Sequence, residues 1–250
     1  MLPLLLLFTQ SSSTQFDRVE IDPVAGITLV YERDGLMDTD LWGFEFTYPE
    51  VKSLPPIEID RTRRVLQKAF SKYPPGFIKK HLDRILICGD LIVDGYPYGA
   101  TYGNRSLFIV DGGKLQGFDD RFIEQSFHHE SSSVLLLEPN SHFPRARWNS
   151  ANPIGFAYKG YDAVYADKKN QVNWEEQRPQ WLRMGFVKRY SFTSLEEDLN
   201  TVAESMFAGG PKFWRQADHN PRLLRKARTY TDFLNTLQPS FQESRMRSYR

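Results

Sequence analysis

The segment from Phe127 to Ser133 contains a histidine, a glutamate and a serine at a spacing that could support metal chemistry. In the helical pattern His-Glu-x-x-His, two histidines one turn apart bind zinc while the glutamate activates the zinc-bound water. Here His129 and Glu130 match the first two positions, and Ser133 stands where the second histidine would be. Because a serine hydroxyl is a weak zinc ligand beside imidazole, the segment predicts either an altered zinc site or one that has lost its metal.

The faces of the helix that carries this segment distinguish its two neighbouring histidines. On a helix with about 100° per residue, His129 and Ser133 lie along the border of an apolar arc, whereas His128 points to nearly the opposite side. Glu130 falls inside the arc, where a carboxylate is costly unless it is paired, protonated or catalytic. His129 is therefore the candidate ligand, with two ordinary histidines beside a serine-rich turn as the alternative. The arc consists of Phe122, Ile123, Phe127, Val134 and Leu137.

A second acidic segment follows after about 60 residues, at the start of another predicted helix. Glu197, Thr201 and Glu204 share one face of this helix, opposite an apolar stripe. Ser194 and Glu197 have the spacing of a capping box, and acidic residues in a first turn suit the helix dipole. Taken alone, this segment is explained by the start of a helix.

Three phrases make the sequence resemble the zinc-binding metallopeptidases of the zincin type, the gluzincins related to toxin lobes. Members combine the histidine-glutamate helix with an Asn-Pro-x-Gly-Phe-x-Tyr phrase, which residues 152–158 match, and a Gly-Phe-Val phrase, which residues 185–187 match. A tyrosine then precedes a Glu-Asp helix start by seven residues, as Tyr190 precedes Glu197 here. The resemblance covers about residues 107–207.

The resemblance implies a zincin-like fold, zinc as the cofactor, and hydrolysis of peptide bonds in a peptide or protein substrate. It implies that His129 and Glu197 are metal ligands, that Glu130 is the general base, and that Tyr190 donates to the developing oxyanion. The strand around Ser106–Val110 is then expected to be the edge that aligns the substrate.

Two positions depart from the family pattern. Ser133 replaces the second histidine, and Thr201 replaces the second acid of a Glu-x-x-x-Glu spacing. Glu204, two turns after Glu197, and His142, in a loop, are weaker candidate ligands. The alternative hypothesis is therefore a catalytically inactive zincin-fold protein that binds a peptide or partner, and a third class is a structural or adhesion module.

The order of elements around these segments predicts an α+β fold. In it, a small mixed or antiparallel sheet packs against the histidine-bearing helix, and the C-terminal part is mainly helical. Periodicity and caps predict helices from about Ile59 to Phe70 and from Asp119 or Asp120 to about Leu137. Short strands are predicted at about 27–31, 84–88, 91–93 and 106–110.

Composition narrows the functional classes. The 250 residues include 32 basic and 31 acidic side chains, and a formal net charge of +1 argues against a nucleic-acid partner. The single cysteine, Cys88, excludes an internal disulfide framework and a multi-thiolate zinc site. Its apolar neighbours predict a buried position in a strand.

The chain is predicted to have three parts. An apolar run followed by serines predicts a signal peptide or N-terminal anchor in residues 1–15, and hence an extracytoplasmic protein, periplasmic or secreted. Residues 16–211 are expected to form the zincin-like domain. Residues 212–250 are expected to form a basic helical extension that packs on the domain through Leu223, Leu224, Phe233 and Leu234. No other segment is long and apolar enough to predict a membrane span.

Overall fold

Helices dominate the described part of the chain, with about 50% helix and 16% strand, and the fold is α+β as the order of elements predicts. None of the described helices is long and apolar enough to cross a membrane. The predicted signal peptide or anchor, residues 1–15, lies outside the described residues. The computed structural model describes residues 16–32, 34–36, 49–161, 173 and 175–249.

The described strands are β1 (Phe16–Ile21), β2 (Thr28–Glu32), β3 (Gly35–Leu36), β4 (Glu50–Lys52), β5 (Arg84–Cys88), β6 (Asp90–Val93), β7 (Tyr96–Pro97), β8 (Ala100–Gly103) and β9 (Ser106–Val110). They form a five-stranded sheet in the order β1-β2-β5-β9-β8 and a four-stranded sheet in the order β3-β4-β6-β7. In the larger sheet, β5 is parallel to β2 and β9, while β1 and β8 pair antiparallel at the two edges. The larger sheet is therefore mixed.

The edge of the larger sheet nearest the candidate site is β8. The expectation that Ser106–Val110 forms this edge is wrong, because β9 is paired on both sides. Asn104, at φ 52°, lies in the tight turn that folds β8 back onto β9. Any peptide that joined this side of the sheet would therefore pair with β8.

The side chains of β5 alternate between two hydrophobic cores. Ile85 and Ile87 face the main core, together with helical residues, and Leu86 and Cys88 face a smaller core beside the four-stranded sheet. Because both faces are covered, the strand reads as a continuous apolar run. Cys88 is buried, as predicted.

The described α-helices are α1 (Ile59–Ser71), α2 (Phe77–His81), α3 (Asp120–Leu137), α4 (Arg145–Asn149), α5 (Pro179–Arg183), α6 (Leu195–Ala208), α7 (Gly210–Asp218), α8 (Pro221–Leu237) and α9 (Glu243–Arg247). Short 3₁₀ helices lie at Pro56–Glu58, Lys114–Gln116 and Arg189–Phe192. The helices that carry the candidate residues, α3 and α6, pack on each other. Both begin at side-chain caps, because Asp119 accepts from the Phe122 amide at 2.8 Å and Ser194 accepts from the Glu197 amide at 3.1 Å.

Helix α3 is buried around most of its circumference. It packs against α1, α6, β8 and β9, so side chains outside the apolar arc are covered as well. His128, expected on the opposite side from the arc, is 0% exposed, and its ring stacks on those of Tyr73 and Phe207, which also stack on each other. Leu137, which belongs to the arc, is 51% exposed because the helix ends there.

The chain beyond α6 is mainly helical. Helix α8 packs on both α6 and α7, and Leu223 and Phe233 of α8 are buried in the main core. This packing fixes the far side of α6 and leaves its other side to face α3 and the candidate site.

Candidate functional site

One cavity of about 670 Å³ brings the candidate residues together. It lies between α3, α6, the edge strand β8 and the segment that leads into α6. Of the seven residues selected from the sequence, only His142 does not line this cavity, and His142 is exposed. The six that line it are His129, Glu130, Ser133, Tyr190, Glu197 and Glu204.

His129 has a carboxylate on each ring nitrogen. Its Nε2 lies 3.0 Å from Glu197 Oε2, and its Nδ1 lies 2.9 Å from Glu204 Oε2. The two glutamates are two turns apart on α6, so they approach the imidazole from both sides. Burial alone would lower the pKa of His129, but the hydrogen bonds with Glu197 and Glu204 raise it well above its usual value. The ring is therefore held as an imidazolium.

Both carboxylate oxygens of Glu197 have partners. Oε2 faces His129, and Oε1 accepts hydrogen bonds from the hydroxyls of Tyr190 at 2.9 Å and Tyr161 at 3.0 Å. Burial would raise the pKa of Glu197, but the hydrogen bond with His129, followed by those from the tyrosines, keeps it below its usual value. Burial also raises the pKa of Tyr190 well above its usual value, so this phenol stays a neutral donor.

Glu204 extends the network to Lys188. The Lys188 ammonium lies 2.8 Å from Glu204 Oε1 and 2.6 Å from Glu175 Oε2. Burial would lower the pKa of Lys188, but these two carboxylates raise it above its usual value. Glu204 contacts Nδ1 of His129, whereas Glu197 contacts Nε2. Glu204 therefore orients the imidazole ring, and it does not lie on the Nε2 side, where a second metal ligand would be needed.

Ser133 is used in packing α3 against α6. The Asn200 amide donates to Ser133 Oγ at 2.7 Å, and the Asn200 carbonyl accepts from Ser132 Oγ at 2.5 Å. All three side chains are buried. The serine that replaces the second histidine thus has a partner of its own within the protein.

These side chains do not make a complete zinc site. His129 Nε2 and Glu197 Oε2 face each other and could supply two ligands. Catalytic zinc sites take three protein ligands, and Ser133, at the third position, is hydrogen-bonded to Asn200. Across the residues that the structure describes, no group of three or more His, Cys, Asp or Glu side chains is arranged to hold a metal ion. The donors in this cavity therefore do not fit the zinc ion that the family resemblance implies.

Glu130 differs from its neighbours because it has no partner among the described residues. It is 8% exposed, lines the cavity, and takes part in no hydrogen bond or ion pair with them. Burial raises the pKa of Glu130 to about 8, with His129 opposing the rise and the carboxylates of Glu197, Glu196 and Glu204 adding to it. Packing within the protein does not explain why a carboxyl group is buried at this position, which agrees with the place of Glu130 inside the apolar arc of the helical wheel.

A second polar cluster lies on the far side of α6, and sequence reasoning missed it. We call Asp198, Lys226, Trp148 and Tyr158 the anchor cluster. Asp198 Oδ2 accepts from Lys226 Nζ at 2.7 Å, from Tyr158 Oη at 2.8 Å and from Trp148 Nε1 at 2.9 Å. Asp198 and Lys226 are fully buried. One carboxylate thereby joins α4, α6, α8 and the loop that carries Tyr158.

Two of the phrases that suggested a family resemblance meet at this cluster. Tyr158 ends the phrase at residues 152–158, and the Gly185 carbonyl accepts from Lys226 Nζ at 3.0 Å. The Phe186 ring centre lies 3.8 Å from the same ammonium, as a cation–π contact. At φ 90°, Gly185 packs so closely on α8 that a Cβ would lie 2.7 Å from Arg222 Cβ. These two phrases pack on the side of α6 that faces away from the cavity, and they contribute no side chain to the zinc-ligand pattern.

In comparisons with protein-family models, curated proteins and solved structures, nothing matches this chain. The family resemblance therefore stays a prediction from the quoted phrases.

Proposed function

We propose that this chain binds a peptide or protein segment in the cavity between α3, α6 and β8, in a zincin-like fold without a complete zinc site. The observation that carries the proposal is that the residues at the zinc-ligand positions form hydrogen bonds with other side chains of the protein. His129 is hydrogen-bonded to both Glu197 and Glu204, and Ser133 is hydrogen-bonded to Asn200. A cavity of about 670 Å³ nevertheless borders this network, and its volume suits a ligand site.

The edge strand supports a peptide as the ligand. Within the described part of the chain, β8 pairs with β9 on one side only, and residues 97–102 line the cavity. An extended peptide can add to such an edge through main-chain hydrogen bonds, while the pocket beside it receives alternate side chains. Tyr102 of β8 donates to Glu196 of α6 at 2.6 Å, which ties the edge strand to the helix across the cavity.

A second candidate is zinc-dependent hydrolysis of peptide bonds with an altered ligand set. It is favoured by the 3.0 Å distance between His129 Nε2 and Glu197 Oε2, in a cavity that Glu130 and Tyr190 also line. This candidate requires ligands beyond these two donors, because two protein ligands bind zinc weakly.

Zinc stoichiometry separates the two candidates. We expect purified protein to hold far less than one zinc per chain by elemental analysis, even after incubation with excess zinc, and we expect His129→Ala and Glu197→Ala to make no difference. About one zinc per chain, lost in both variants, would contradict the proposal and support the peptidase.

A gain-of-metal variant provides the positive control. Ser133→His combined with Asn200→Ala adds a second imidazole one turn from His129 and removes the amide that now contacts position 133. We expect this double variant to bind zinc at least about tenfold more tightly than the wild type, because it supplies a third protein ligand. Equal zinc affinity in both proteins would mean that Ser133 is not what limits metal binding.

A further inference from the structure

The described residues that line the cavity include more carboxyl groups than cations. Lys188 and His129 are the only cationic side chains among its described lining residues, and both already have carboxylate partners. Among the same described residues the carboxyl groups number five, or four when Glu130 is protonated, so these residues leave a negative excess of at least two after the two cations are subtracted. The five are Glu130, Glu175, Glu196, Glu197 and Glu204.

Glu130 is the carboxyl group in this set that the described residues leave unpaired. Its side chain is 8% exposed and reaches the cavity, yet it makes no ion pair or hydrogen bond with them. Burying a carboxyl group without a partner is costly. A ligand that brings its own hydrogen-bond donors into the cavity would remove this cost.

Aromatic rings form much of the remaining wall. The face of such a ring attracts a cation, and its apolar surface can cover an alkyl stem. Carboxylates and aromatic rings together are the surroundings that recognise ammonium and guanidinium groups. The rings that line the cavity belong to Tyr98, Tyr102, Phe122, Tyr161 and Tyr190.

From this arrangement we infer that the cavity binds an organic cation, a guanidinium or ammonium group on an alkyl stem, with Glu130 as its counter-ion. The inference rests on the proposed function in one respect, because the first source of such a group is an arginine or lysine side chain of a bound peptide. The second source is a free alkylguanidine or alkylamine. Both sources present the same charged group to Glu130.

Glu32 provides a matched control. It lies at the end of β2, is 1% exposed, and neither of its carboxylate oxygens has a hydrogen-bond partner among the described residues. Burial raises the pKa of Glu32 to about 8, the same value as for Glu130. Glu32 does not line the cavity. Glu32→Gln therefore makes the same chemical change as Glu130→Gln at a distance from the proposed site.

Calorimetric titration of the full chain tests the inference with three probes. They are a blocked pentapeptide of four alanines around a central arginine, the same peptide with citrulline, and agmatine as the free alkylguanidine. Citrulline keeps the shape of arginine and removes its charge. We expect the wild type to bind the arginine peptide at least about tenfold more tightly than the citrulline peptide, as for a charge-assisted hydrogen bond. We expect Glu130→Gln to abolish this preference and Glu32→Gln to preserve it.

The outcomes distinguish this inference from the proposed function. Equal affinity of the wild type for the arginine and citrulline peptides, or an arginine preference that survives in Glu130→Gln, would overturn the cation site while leaving peptide binding in place. Glu130-dependent binding of agmatine without binding of either peptide would support the cation site and contradict peptide binding. If none of the three probes binds, both are wrong. The comparison of the two peptides on the wild-type chain requires no variant to fold.

Discussion

Helix α6 contributes residues to two polar clusters, of which one borders a cavity that a ligand could enter and the other is buried in the protein interior. The cavity cluster consists of His129, Lys188, Glu197 and Glu204, and it borders a cavity that Glu130 also lines, with no partner among the described residues. The anchor cluster, on the other side of the helix, joins Asp198 to three donors from separate segments. Its aspartate and lysine have no exposed surface.

The comparison shows that neighbouring residues of one phrase can serve different purposes. Glu197 and Asp198 are adjacent in the sequence, but one points to the cavity and the other to the interior between α4 and α8. Charged groups that are fully buried and paired hold segments together, whereas a carboxyl group that reaches a cavity and has no partner among the described residues, as Glu130 does, is available to a ligand. Substitutions in the two clusters should therefore affect different properties.

The largest effect on stability is expected in the anchor cluster, from Lys226→Met. This change removes the cation beside Asp198 and leaves the carboxylate buried, which costs about 3–5 kcal/mol for a broken buried ion pair. Urea denaturation measures the free energy of unfolding. Lys212→Met, at an exposed lysine of α7, is the control and should stay within about 0.5 kcal/mol of the wild type. Equal losses in the two variants would mean that the anchor cluster does not hold the fold.

A smaller loss is expected in the cavity cluster, from His129→Gln. Without the imidazolium, the carboxylates of Glu197 and Glu204 lose their shared cation, which should cost about 2 kcal/mol, less than in the anchor cluster because the site borders the cavity.

The cost of His129→Gln should depend on pH. The pKa of His129 is raised in the folded chain, so its stabilisation is fully present below the usual value of 6.5 and is lost as pH rises through the folded-state pKa. Denaturation of both proteins at about pH 6 and about pH 9 should therefore show a larger difference at the lower pH. A difference that grows with pH would mean that the ring is neutral in the folded protein.

The parts of this fold that were predictable from sequence depend on local signals. Asp119 and Ser194 cap their helices as expected, because a cap needs only residues within one turn. The helical wheel also separated His129 and Glu130 from His128, because positions on one helix are related by its geometry alone, and in the structure the first two line the cavity whereas His128 does not.

Contacts between distant segments were not predictable in the same way. The partner of Ser133 is Asn200, and the choice of partner depends on how α3 packs against α6. The edge strand β8 was missed because its sequence, Ala-Thr-Tyr-Gly, has no clear alternation and forms a strand by pairing with β9. One signal could have revealed the anchor cluster: Lys226 lies on the same face of α8 as Leu223 and Tyr230, both buried, and a lysine in an apolar stripe requires a partner.

The smallest effects, and the closest comparison of the two clusters, come from two tyrosines that are three residues apart in the sequence. Tyr158→Phe removes a donor to the buried Asp198 and should cost about 1.5 kcal/mol, as for a hydrogen bond to a buried charged group. Tyr161→Phe removes a donor to Glu197 from a residue that is 43% exposed and should cost less than about 0.5 kcal/mol. Both changes delete one hydroxyl, so urea denaturation compares the clusters without a difference in side-chain volume. If Tyr161→Phe were the more costly change, the cavity side of α6 would hold the fold, and the division between the two clusters would be wrong.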